Sequence, residues 1–181
     1  NSAYGLTALD AISSGDNNSA FGYGALGANA SGQQNTAVGV NAMLANTGNY
    51  NTSIGFDSLK ANVGGANNVA VGVNALLANT SGGSNVAMGA NAAGANTTGT
   101  RITALGYQAY ANSDTENDNL AIGYQAMTTN TAGGTYNIAV GNYAMDALTS
   151  GDNNTAVGYE ALTANTTALS NTAFGHTALA S

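Results

Sequence analysis

Cysteine, proline and tryptophan are absent from this chain, and charge is scarce: two Lys/Arg, nine Asp/Glu and one His among 181 residues. Each shortage excludes something. Without Cys there is no disulfide framework, and the redox compartment leaves no mark on the sequence. The only cations, Lys60 and Arg101, cannot make the basic clusters that nucleic-acid phosphates need. A net charge of −7 argues equally against an anionic membrane surface. No apolar run approaches the ~20 residues that span a bilayer, and no signal-peptide pattern of charged and apolar regions is visible. Disorder is disfavoured too, because it accompanies low hydrophobicity and high net charge, whereas 44% of these residues are hydrophobic and only 6% charged.

What is present is small and polar. The chain has 25 Gly and 27 Asn, and its apolar content is mostly Ala and Val. That composition predicts a thin core of small side chains. Its order is periodic: Gly5, Gly22, Gly39, Gly55, Gly72, Gly89, Gly106, Gly123, Gly141, Gly158 and Gly175 are spaced by 17 residues, with one interval of 16 and one of 18. The drift never accumulates, so the period belongs to the architecture. Counting each unit from the residue four before its Gly, units begin near 1, 18, 35, 51, 68, 85, 102, 119, 137, 154 and 171, and residues 1–181 read as a single repeat array.

Position 1 of the unit is Asn, with Ile102 the exception. Positions 3 and 8 are Ala, except for Ser53 and Ser58. Position 4 is always apolar, position 5 is Gly, and position 9 is a larger apolar residue that falls to Ala93 once. Position 12 is Asn at Asn29, Asn46, Asn62, Asn79, Asn96, Asn130 and Asn165. A helix tolerates this poorly, since the Gly costs about 1 kcal/mol in a helix interior and Asn, Ser and Thr fill the remainder. Strand suits it better. The expectation is an all-β parallel β-solenoid of about eleven 17-residue coils, with two short strands per coil at positions 2–4 and 8–9. A lone coil has too few apolar side chains to offset the entropy of ordering it, so coils must stack. At ~4.8 Å per coil the rod is on the order of 50 Å long. Asn at positions 1 and 12 is expected to form side-chain ladders between coils. The position-5 Gly is expected at φ > 0 or at a close backbone approach.

The unit Asn154-Thr155-Ala156-Val157-Gly158-Tyr159-Glu160-Ala161-Leu162 resembles the N-T-A-x-G-x-x-A-L arrays of bacteriophage tail fibres and the head repeats of trimeric autotransporter adhesins, and the resemblance covers the whole chain. It implies a left-handed β-roll and self-association as a homotrimer or filament. It also implies an extracellular place on a phage particle or bacterial cell surface, and attachment to a host receptor or cell-surface glycan. The chain reads as a segment of a longer fibre.

Chemistry-bearing constellations are few. His176, the lone histidine, stands at position 6, where other units carry Tyr23, Val40, Phe56, Tyr107, Tyr124 and Tyr159. It reads as a variant of a half-exposed slot. Val38-Gly39-Val40-Asn41-Ala42-Met43 fits one acyltransferase hexad, but that fold needs three per coil. Asp114, Glu116 and Asp118 form the one acidic cluster, whose alternating oxygens could wrap Ca²⁺ or line a solvated loop. The position-6 aromatics could stack on sugars or pack against a neighbouring chain, and the Thr content raises an ice-binding face. No catalytic, cofactor-binding or metal residue is assigned. The function expected is a structural fibre or adhesin shaft without catalysis, with a glycan- or ice-binding solenoid as the alternative.

Overall fold

The structure, a computed structural model, describes residues 1–130, 133–164 and 166–180. Eleven three-residue strands stack into one parallel sheet in sequential order. They are β1 (Ser2–Tyr4), β2 (Ser19–Phe21), β3 (Thr36–Val38), β4 (Thr52–Ile54), β5 (Val69–Val71), β6 (Val86–Met88), β7 (Thr103–Leu105), β8 (Leu120–Ile122), β9 (Ile138–Val140), β10 (Thr155–Val157) and β11 (Thr172–Phe174). Each covers positions 2–4 of a unit, and like positions pair: Ala20 with Ala37, Ala70 with Ala87, Ala139 with Ala156. The chain is a parallel β-solenoid, with coils numbered here by their strands.

The expected second strand does not form. Ala25 and Leu26 are both fully buried, as are Ala75 with Leu76 and Ala144 with Met145. A pleated strand points neighbouring side chains to opposite faces, so two inward neighbours at positions 8 and 9 require a turn. The backbone supplies it by placing positions 7 and 9 at positive φ, as at Asn41 (54°) and Met43 (51°). Alternate N–H groups then bond in alternate directions. Those of Ala25, Gly27 and Asn29 return to the carbonyls of Gly22, Gly24 and Leu26 three residues back. Those of Leu26 and Ala28 reach Ala42 and Leu44 of the next coil. The segment is hydrogen-bonded throughout without being a sheet.

Only the middle residue of each strand faces inward. The core is therefore Ala at positions 3 and 8 plus the position-9 side chain. Within that last column Ala93 is followed one coil later by Tyr110, so a small side chain neighbours a large one and core volume is kept.

The position-5 Gly meets both expectations. Gly72 has φ +135°, and a Cβ there would lie 2.6 Å from the Gly89 carbonyl oxygen. A second Gly column, at position 15, is constrained by close approach alone: a Cβ on Gly32 would stand 2.6 Å from the Gly48 carbonyl oxygen.

The two Asn columns flank the core and work differently. At position 1 the amide serves mainly backbone. Asn68 Nδ2 donates to the Gly82 carbonyl (2.9 Å), and Asn68 Oδ1 accepts the Asn85 N–H (3.0 Å). At position 12 a side-chain ladder does form, from Asn62 to Asn46 (2.6 Å), Asn79 to Asn62 (2.8 Å) and Asn96 to Asn79 (2.8 Å). Asn165 lies outside the described residues.

Candidate functional surface

With position 3 turned inward, positions 2 and 4 face out. Position 4, apolar in every unit, is thus an outward column: Phe21 is 48% exposed, Ile54 43% and Met88 46%. Position 6, past the Gly corner, continues the same exposed surface with Leu6, Tyr23, Val40, Phe56 and Val73. The parallel register carries these columns along all eleven strands.

Toward the C-terminal coils the position-6 column becomes a ladder of rings. Tyr107 stacks on Tyr124 with centroids 5.3 Å apart, and Tyr159 stacks on His176 at 5.2 Å. Tyr143 joins the two pairs edge-on, 5.3 Å from Tyr124 and 6.0 Å from Tyr159. His176 thus takes its slot as one more ring. Tyr143 was not foreseen. It stands at position 7, beside Asn142 at position 6, and only the fold brings it into line. Because the stacked rings turn faces toward each other, they present largely edges to a sugar.

Two carboxylates border the ladder. Hydrogen bonding to Glu160 raises the Tyr159 phenol above its ordinary value. Burial, reinforced by Glu160, raises Asp146. Both cations are already paired, Lys60 with Asp57 at 2.9 Å and Arg101 with Asp118 through Nε (2.5 Å) and Nη2 (2.7 Å).

The acidic cluster is pulled apart by the fold. Asp114 is exposed, Glu116 is buried, and Asp118 is held by Arg101, whose hydrogen bond lowers its carboxyl below the usual range. Glu116 is already occupied as an acceptor. Its Oε2 receives the N–H groups of Asp114 and Thr115 (both 3.1 Å), and its Oε1 that of Gly133 (3.0 Å). The three carboxylates do not converge, and among the described residues no group of three His, Cys, Asp or Glu could hold a metal.

Glu116 stands where other coils place the position-15 Gly, and the following coil is the 18-residue one. Asn130 and Gly134 are four apart there, whereas Asn29 and Gly32 are three apart. The sequence carried this signal as two irregularities in adjacent units.

No protein-family profile, curated protein or solved structure matches the chain.

Proposed function

We propose that the chain is a structural fibre or adhesin segment, a rigid rod that packs laterally against copies of itself and contributes reach and surface contact without catalysis. The observation that supports this reading is the outward strand face. A chain with so little charge leaves Phe21, Ile54 and Met88 half exposed in a single in-register column. Continuous apolar surface of this kind is characteristic of association sites. Identical columns on identical rods fit one another in parallel, and a homotrimer on a phage particle or bacterial surface is the assembly the repeat resemblance implies. The glycan- or ice-binding alternative has weaker support. The rings of the ladder spend their faces on one another, and the position-2 Thr column is interrupted by Val69, Val86, Leu120 and Ile138.

Sedimentation equilibrium tests the reading. The native chain is expected to sediment as a trimer, and the Ile54→Lys/Met88→Lys variant as a monomer with unchanged circular dichroism. A native chain that remains monomeric at the highest attainable concentration overturns it.

A further inference from the structure

Coil 7 departs from the repeat at four places at once: Ile102, Tyr110, Ser113 and Glu116 stand where most coils have Asn, Leu or Met, Asn and Gly. Ser113 interrupts the position-12 amide ladder. In the ladder before it, Asn62 and Asn79 each do two things. The amide nitrogen donates to the Oδ1 of the preceding coil, and the amide oxygen accepts from the nitrogen of the following one. Ser113 has no amide and can do neither in the same place.

Tyr110 replaces the acceptor half. Its hydroxyl reaches the polar column from position 9 and receives Asn130 Nδ2 of the following coil at 3.3 Å, together with Asn119 Nδ2 at 2.7 Å. The donor half is not replaced by any protein group. Asn96 Oδ1, which in the regular ladder would take an N–H from coil 7, has no hydrogen-bond partner, and Ser113 Oγ has none besides the Tyr110 hydroxyl next to it. Both residues are fully buried. Two under-satisfied polar atoms therefore occur on successive coils of one column. A buried acceptor left unpaired costs about 1–3 kcal/mol, and buried polar atoms are satisfied by protein or by ordered water in nearly all proteins.

We propose that coil 7 holds one internal water molecule, hydrogen-bonded to Asn96 Oδ1 and Ser113 Oγ, where a position-12 amide nitrogen stands in the preceding coils. The chemistry selects the ligand. Asn96 Oδ1 accepts only, so the molecule must donate to it. Ser113 Oγ–H donates, so the molecule must accept as well. Water meets these demands without bringing charge into a core that no solvent reaches. The third such atom, Asn130 Oδ1, has Leu148 at position 12 of the next coil. An apolar neighbour supplies no second partner there.

Water-to-protein cross-relaxation in the isotope-labelled full chain tests the proposal. Slow-tumbling water cross-peaks are expected at the Asn96 side-chain amide and the Ser113 N–H. None is expected at the Asn79 side chain, whose Oδ1 already receives Asn96 Nδ2. The Tyr110→Leu/Ser113→Asn variant restores the regular ladder and should lose the Asn96 cross-peak. Ser113→Ala, a one-atom change that keeps the fold, should weaken it at least several-fold. Absence of the Asn96 cross-peak in the native chain overturns the proposal, as does its undiminished survival in Ser113→Ala. Disappearance of the cross-peak when sodium and potassium are replaced by choline overturns it in favour of a bound cation.

Discussion

Ser53 and Ser58 hydrogen-bond each other through their hydroxyls across the core of coil 4. They are also the only residues that break the Ala columns at positions 3 and 8. Two departures from the repeat in one coil thus form one contact, in which Ser53 Oγ also reaches the Ser58 carbonyl (2.9 Å) and Ser58 Oγ the Gly55 carbonyl (3.1 Å). Removing one hydroxyl leaves the other under-satisfied in a fully buried site, at a cost of about 1 kcal/mol. Removing both restores the Ala pair of every other coil. Urea unfolding of Ser53→Ala, Ser58→Ala and the double variant should give a coupling energy of about 1 kcal/mol, with the double variant at least as stable as the native chain. Additive losses would show that the serines do not act as a pair.

Gly72→Val combines two penalties. The φ of +135° is closed to a β-branched residue, and the new Cβ would be driven onto the backbone of Gly89. Neither the Gly89 carbonyl nor the adjacent Ala90 N–H can yield without parting the coils. The expected loss is about 4 kcal/mol or more, seen as loss of the cooperative melt. Gly64→Ala is the matched control. Nothing lies within 4 Å of a Cβ there, so its transition should stay within about 0.5 kcal/mol of the native one.

Glu116 ties coil 7 to coil 8 through the Gly133 N–H and closes its own corner through those of Asp114 and Thr115. Glu116→Ala removes the acceptor for all three. The expected cost is about 3 kcal/mol, since hydrogen bonds to charged groups contribute more than neutral ones. Glu116→Gln keeps one carbonyl oxygen and should lose less. Amide exchange should quicken at Asp114, Thr115 and Gly133 before it quickens elsewhere, marking local opening at this seam.

The stacking direction and the parallel register were legible from the period, because identical residues at one interval can bury only against their own kind. The orientation of position 4 was not. Reading Ala156-Val157 as half of a pleat identifies alternation but not which member faces in, and the larger side chain draws the eye. Here the small Ala156 is inside, because the opposite wall supplies Ala161 and Leu162 together. That pair also misled the strand assignment at positions 8–9. Two adjacent invariant apolar positions signal a turn when both are buried, and burial is not written in the spacing. The position-15 Gly column was overlooked because the variable polar stretch before it hid its regularity. Of the candidate site, the position-6 slot and the acidic cluster were both found. The partition of that cluster between a buried Glu116 and an Arg101-bound Asp118 depends on inter-coil contacts.

Asp146 and Asp118 should bend the stability–pH curve in opposite directions. Asp146 is raised above its ordinary value of 3.8, first by burial and then by Glu160. The fold therefore disfavours its ionised form, and near neutrality that carboxylate subtracts stability. As pH falls through the raised value toward the unfolded one, the penalty is lifted. Asp118 is lowered by its hydrogen bond from Arg101, so its contribution is present above the unfolded value and disappears as pH falls through the folded one. Asp146→Asn should accordingly raise Tm most at neutral pH, with the gain vanishing below about pH 3.8. Asp118→Asn should lower Tm slightly at neutral pH and not at all once the native Asp118 is itself protonated, a small effect because the pair is solvent-exposed. Thermal melts of the three chains across the acid range provide the comparison. If Asp146→Asn lowers Tm at neutral pH, the side chain is stabilised by a partner rather than strained by burial beside Glu160.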